Sequence, residues 1–364
     1  MKTNRRDFFR IAGVTGTGII SGGVTSCMTG DGSKSALQLP HIHNAVKQQH
    51  QQRFNMSGYA AAPIKTVRVG IIGLGMRGPG AVKRMMNIEG VEITALCDKY
   101  PERVQKVQNI LRLAGLPKAK EYSGSEQAWK ELCMSDLDLV YICTPWSLHT
   151  PMAVLAMEKG KHAAIEVPAC TTLEEAWQLV ETSERTRMHC MMLENCCYDF
   201  FELLTLNMAR QGFFGEIVHA EAAYIHDLRE LNFRKDGYAD MWRLEENQKR
   251  NGNLYPTHGL GPVCQVMNIN RGDRMEYLTS MSTNDFQMAQ MAEKLSGEDP
   301  FYQPYATDGY RGNMNNTLVR TEKGRTIMIQ HDVTSPRPYS RIHLVSGTKG
   351  IARKWPLPAK IAQG

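Results

Sequence analysis

Gly70-Ile71-Ile72-Gly73-Leu74-Gly75-Met76-Arg77-Gly78 decides the fold. Val67 to Ile72 is a short apolar run that reads as a buried strand, and Pro79 to Ile88 has helical spacing, so the glycines fall on a strand-to-helix turn. There Gly73 permits the tight turn, Gly75 lets the backbone approach a pyrophosphate, and Gly78 allows close packing of helix on strand. The helix start adds free N–H groups and the positive end of a dipole. A second strand, Val91 to Cys97, leads to Asp98, twenty residues past Gly78. An acid at that place accepts hydrogen bonds from a ribose 2′-OH and repels a 2′-phosphate, which favours NAD over NADP.

Outward from this turn, apolar strands alternate with helical stretches. Helix Glu102 to Ala114, strand Leu137 to Cys143, helix Thr150 to Glu158, strand His162 to Ile165, helix Leu173 to Arg185 and strand His189 to Leu193 follow in order. Such alternation predicts a doubly wound parallel sheet with helices on both faces, a Rossmann domain over residues 65–195. After Asn195 the texture changes. Helix Phe200 to Arg210 leads into strands at Ile217 to Tyr224, Tyr277 to Thr283, Asn316 to Arg320, Thr326 to Asp332 and Arg341 to Ser346, with a helix from Pro262 to Ile269. This predicts an α+β domain with a mostly antiparallel sheet over residues 196–364, with no evident closing element at Ile361-Ala362-Gln363-Gly364.

The 364 residues, 42% hydrophobic and 22% charged, suffice for about two domains with a substantial core. Of the net charge of +6, Lys2, Arg5, Arg6 and Arg10 against Asp7 supply half, and no dense basic run interleaves with aromatics, so nucleic acid is not an expected partner. Asn4-Arg5-Arg6-Asp7-Phe8-Phe9 followed by a glycine-rich, weakly apolar run from Ile11 to Gly23 reads as a twin-arginine export signal over residues 1–27. Val24-Thr25-Ser26-Cys27 reads as a lipobox with Cys27 as the lipidated residue, and residues 28–64 read as a tether that includes His41 and His43. The twin-arginine route moves folded proteins, so a nucleotide buried in the cytoplasm would travel with the chain. An exported, envelope-attached protein is the expectation, and self-association is compatible with the sequence. The remaining cysteines are scattered without a C-x-x-C and read as small core residues.

Further motifs carry a resemblance. Cys143-Thr144-Pro145-Trp146-Ser147-Leu148-His149 and Glu166-Val167-Pro168 resemble the "TP…H" turn and "EKP" motif of the Gfo/Idh/MocA oxidoreductases. Val167 stands where that superfamily commonly places a catalytic acid/base lysine. The runs Leu193-Glu194-Asn195-Cys196-Cys197-Tyr198, Tyr224-Ile225-His226-Asp227-Leu228 and Tyr255-Pro256-Thr257-His258-Gly259-Leu260-Gly261-Pro262 closely resemble glycoside hydrolase family 109, the NAD-dependent α-N-acetylgalactosaminidases. The resemblance implies NAD contacts at Met76, Arg77, Asp98, Trp146, Ser147, Leu148, His149, Glu166, Val167, Asn195 and Tyr255. It implies sugar contacts at Tyr224, Arg243, Tyr255, Pro256, Thr257, His258 and Tyr339, and a role for the acid at Glu194. Family members run on beyond this chain and carry a late Gly-Gly-His-Gly-Gly motif absent here, so a C-terminal truncation of the second domain is expected.

The implied chemistry is redox-assisted elimination: oxidation at C3 of a terminal N-acetylgalactosamine, loss of the C2 proton with expulsion of the C1 substituent, water addition and re-reduction. His258 is the candidate base at C3. Tyr255 is positioned to face both nicotinamide and sugar, and Tyr224 is the candidate for C2 proton transfer; as a strand residue Tyr224 also reads as core. Arg243 reads either as a sugar contact or as a surface salt bridge. Glu245, Glu246 and Asp273 read as solvated acids without the spacing of a glycosidase pair. No H-E-x-x-H, zinc-spaced Cys/His cluster or G-x-S-x-G is present, and no metal is expected. The rival readings are an NAD-dependent sugar or cyclitol dehydrogenase, against which Val167 speaks, and an inactive NAD-binding fragment.

Overall fold

β1 (Val67–Ile72) is buried along its last four residues. Val69 and Ile71 face one layer of helices and Ile72 the other, as alternation along a central strand requires. In the computed structural model, which describes residues 50–363, β1 is the centre of a six-stranded parallel sheet. The other strands are β2 (Val91–Asp98), β3 (Lys120–Ser123), β4 (Leu139–Ile142), β5 (His162–Ile165) and β6 (Cys190–Met192), in the order β3-β2-β1-β4-β5-β6. Helices α1 (Gly78–Met85) and α2 (Pro101–Leu113) cover one face; α3 (Ala128–Met134), α4 (His149–Glu158) and α5 (Leu173–Thr186) cover the other. This is the Rossmann order, with its switch point between β1 and β4. β3 and α3 were not foreseen in the sequence, because both are short and polar at one end.

The second half contains α6 (Phe200–Arg210), α7 (Arg229–Phe233), α8 (Trp242–Lys249), α9 (Thr257–Val266) and α10 (Met288–Glu298). Its seven strands are β7 (Ile217–Ile225), β8 (Met275–Ser282), β9 (Met314–Thr321), β10 (Thr326–Asp332), β11 (His343–Gly347), β12 (Gly350–Lys354) and β13 (Lys360–Gln363). They run in the order β13-β12-β11-β7-β10-β9-β8, and among the described residues β7–β10 is the one parallel pair of strands within this sheet. α6 and α9 bury Phe201, Leu206, Val263 and Val266 against Ala220 and Ala222 of β7.

Several expectations need correction. The helix expected from Pro262 begins five residues earlier, at Thr257, and holds Pro262 in its interior, so His258 lies on the helix itself. Residues 360–363, where the sequence shows no evident closing element, pair antiparallel with β12. Asp273 is not a solvated acid: it is buried and accepts hydrogen bonds from Thr321 Oγ1, Arg274 N and Lys323 N. The last part of the expected tether carries contacts of its own. Arg53 N donates to Glu184, Tyr59 stacks near His189, and Arg187 lies over Phe54. Residues 1–49, with the Arg5-Arg6 pair, Cys27 and most of the tether, lie outside the described residues. Those from Gln52 onward fold as one unit.

Candidate active site

The glycine turn behaves as its sequence requires. Gly73 has φ +91°, and a Cβ there would lie 2.6 Å from Cys143 O; one at Gly78 would lie 2.1 Å from Gly73 O. A Cβ at Gly75 would meet only the tip of the Arg103 side chain, leaving that stretch of backbone open. Asp98 Oδ2 accepts from Leu74 N at 2.7 Å and Oδ1 from Tyr100 N at 3.0 Å, which ties the turn to the end of β2. Each oxygen keeps a lone pair for a ribose hydroxyl. The turn and the acid therefore fit a dinucleotide, and they do so with the cofactor site at the carboxyl end of the sheet.

Other residues expected at the cofactor fall around the same edge. Arg77 Nε donates to Glu166 Oε1 at 2.7 Å, and Tyr141 OH donates to the same oxygen at 2.9 Å. Met76, Ser147, Leu148 and Asn195 are exposed, whereas Trp146 is buried and stacks on Tyr255 with ring centroids 5.7 Å apart. His149 does not face the cleft. It is buried with Nδ1 2.7 Å from Pro168 O and Nε2 2.8 Å from Thr144 O, so it ties together the turns after β4 and β5. Val167 packs with Trp146, Tyr224, Leu228, Leu254, Tyr255 and Val333, an apolar cluster with no proton to give.

Across this cluster, α9 delivers His258. Its Nδ1 lies 2.7 Å from Glu194 Oε1, which also accepts from Cys196 N at 2.9 Å. Burial pushes the Glu194 carboxyl up, but the His258 hydrogen bond, the His258 charge and the Cys196 N–H outweigh it and hold the group below its ordinary value. The carboxylate thus accepts the hydrogen bond from Nδ1–H, leaving Nε2 of His258 without a hydrogen bond among the described residues and able to act as the base. Two glycines make this approach possible. A Cβ at Gly259 would lie 2.4 Å from Ala223 N, and one at Gly261 would lie 2.9 Å from Glu194 Cγ. Cys196 Sγ lies close enough to complete a three-ligand group with Glu194 and His258, but it accepts instead from Arg341 Nη1 at 2.7 Å.

Tyr224 and Tyr255 stand edge-on to the His258 ring, with centroids 5.0 and 4.8 Å away. Burial pushes the Tyr224 phenol up to about 12 and raises that of Tyr255 further. Arg243 is not in a surface salt bridge, as one reading allowed: among the described residues no carboxylate pairs with it. Its guanidinium lies 5.1 Å from the ring centroids of Trp146, Tyr238 and Tyr255, and Nη1 donates to Tyr238 OH at 2.7 Å. Tyr339 is 38% exposed and stands edge-on to His226. Pro256 and Thr257 form the start of α9 that aims His258. The sequence reading passed over His226, Tyr238 and Trp242. His226 was detectable, since it lies two residues from Tyr224, just past the end of β7 at Ile225, where continued strand alternation puts it on the same face.

Comparisons with known proteins match the two halves of the chain to two families. Residues 67–193 match the family model for oxidoreductases with an NAD-binding Rossmann fold, and residues 198–362 match the model for the C-terminal domain of glycosyl hydrolase 109. An alpha-N-acetylgalactosaminidase of Bacteroides fragilis is 54% identical over 307 residues, covering 83% of this chain and 71% of that protein. A glycosyl hydrolase family 109 protein of Porphyromonas gingivalis is 56% identical over 295 residues, covering 81% of this chain; the chain spans 61% of that relative's length. A scyllo-inositol dehydrogenase from Lactobacillus casei, solved with NAD(H) and scyllo-inositol, shares the fold with a TM-score of 0.60 at 16% identity, over 81% of this chain and 77% of that one.

Proposed function

The chain belongs to glycosyl hydrolase family 109, and from that premise we propose that it releases terminal N-acetylgalactosamine from glycoconjugates. NAD, the cofactor of the Rossmann domain, supplies reversible hydride acceptance at C3 of the sugar. The observation that carries the reading is the buried Glu194 carboxylate hydrogen-bonded to the part-buried His258, which faces two tyrosines, with the Arg243 guanidinium beside them free of any carboxylate partner among the described residues. His258 Nε2 takes the proton of the C3 hydroxyl, and Glu194 stabilises the imidazolium that results. Tyr224 moves the C2 proton, and Tyr255, stacked on Trp146, would help hold the sugar against the nicotinamide. Arg243 donates to the acetamide or a sugar hydroxyl, its attraction undiminished by a partner carboxylate among the described residues. Val167 favours this chemistry over net dehydrogenation, because its apolar packing leaves no proton donor at the position of the superfamily lysine.

The test is incubation with an aryl α-N-acetylgalactosaminide in D₂O with no added nicotinamide. Release of sugar carrying deuterium at C2 is the expected result. Accumulation of NADH would replace the reading with a dehydrogenase, and no release by folded, NAD-loaded protein would leave a binding fragment. We also infer export by the twin-arginine route and lipid attachment at Cys27, supported by the Arg5-Arg6 pattern and the lipobox. Mass spectrometry of the N-terminal peptide from membranes tests this; an unmodified Cys27 overturns it.

A further inference from the structure

Tyr224 carries a difficulty that its neighbour resolves. A phenol held up to about 12 by burial is neutral at ordinary pH, and a neutral phenol is no base. It can accept a proton only while passing its own to another group. Tyr224 OH lies 3.0 Å from Nδ1 of His226. His226 is half-buried, has its backbone N–H donating to Asp332 O at 2.9 Å, and stands with its ring edge-on to the partly exposed Tyr339. It therefore bridges the buried phenol and the open side of the site.

We propose that His226 is the proton-relay partner of Tyr224, connecting C2 of the sugar to solvent. The inference rests on the functional reading above and deepens it. As the C2–H bond breaks, its electron pair delocalises toward the C3 carbonyl; the proton goes to Tyr224 Oη while the Tyr224 proton crosses to His226 Nδ1. The imidazolium then gives its Nε2 proton to water. For this, His226 must begin neutral with Nδ1 bare. The charged and titratable groups around it favour that state: burial lowers its pKa, and Arg243 from α8 and His258 from α9 lower it further. Asp227 opposes them, but its carboxylate is held by Arg229 at 2.7 Å. Tyr224 and Tyr339 complete the surroundings.

His226→Asn tests the relay, because its amide oxygen can accept from Tyr224 but cannot carry a proton onward. The expected result is a fall of about a hundredfold in kcat and in deuterium entry at C2, with KM little changed and the acid limb of the pH profile displaced. Wild-type kcat and deuteration in that variant would overturn the relay while leaving the functional reading intact. A wild-type enzyme that releases sugar without C2 deuterium would instead sink the functional reading and the relay together. A second readout needs no turnover: ¹⁵N-histidine NMR of the NAD-loaded protein should show His226 neutral and protonated at Nε2, with the Nδ1 signal moved by Tyr224→Phe. A proton resident on Nδ1 in the resting protein would overturn the proposal.

Discussion

Besides His226, two histidines pack against Tyr224, and the two could hardly be held more differently. His258 meets it at 5.0 Å between ring centroids and is backed by the Glu194 carboxylate; His331 meets it at 6.1 Å and is backed by the Arg311 guanidinium. Beside a carboxylate, Nδ1 must donate, so Nε2 is released as a base. Beside a guanidinium, which can only donate, Nδ1 must accept, and the proton is confined to Nε2. Burial, Arg311 and Arg243 together push His331 well below its ordinary value, so it stays neutral. Arg311 is itself fully buried and lowered to about 10 by burial, donating to His331 and to Gly252 O. One ring type thus serves chemistry on one side of the tyrosine and architecture on the other, and the sign of the neighbouring charge separates the two roles.

The largest expected effect lies on the chemical side. His258→Asn should lower kcat by about 10²–10⁴-fold with NAD still bound, and Glu194→Gln by a smaller factor. Steady-state kinetics beside cofactor content measure both, and His331→Asn with an equal loss in kcat would erase the contrast. On the architectural side, Arg311→Ala should cost about 3 kcal/mol, seen as a lowered Tm, because it opens a cavity and strips the donor from His331 and Gly252 O. Gly259→Ala should cost about 1–3 kcal/mol through the clash with Ala223 N, and kcat should fall with it as His258 shifts.

The smallest effect is a slope. Buried neutral His331 and His343, the latter lowered to about 4, stay unprotonated in the folded state while their unfolded counterparts take up protons near pH 6.5. Stability should therefore decline as pH drops below about 6.5, by about 1.4 kcal/mol per pH unit for each such group. Glu194, held low, is different: its stabilisation persists above its unfolded pKa and is lost only as pH falls through the lower folded value. His331→Gln should flatten the slope between pH 6 and 5 by one proton, as Tm measured across that range would show.

How far the sequence reveals all this depends on the reach of the interactions. In the Rossmann half the constraints are local: Gly73, Gly78 and Asp98 act within one β-α-β unit, so spacing alone exposes them. In the second half Tyr224, Arg243, His258 and Tyr339 come from four separate segments, and only the resemblance to a family pointed to them. The sequence points to Pro262 as the start of α9, because proline favours a first turn, and that leaves Gly259 and Gly261 outside the helix. Their actual purpose, making room for Ala223 and Glu194, exists only once the sheet and the turn after β6 have met. Arg311, in the segment before β9, and His331, on β10, carry no local signal, since nothing in the sequence around them marks a buried cation. Asp273 was misread for a similar reason: its partners Thr321 and Lys323 lie far along the chain.

The two bare positions on α9 also set limits for anyone wishing to reshape the pocket. With strand backbone against one side and the Glu194 side chain against the other, that helix offers no slack for larger residues, and altering it would disturb the base before it altered recognition. Engineering toward another sugar has its freedom at the rim, around Tyr339 and Tyr238, where rings can be exchanged without moving the histidine.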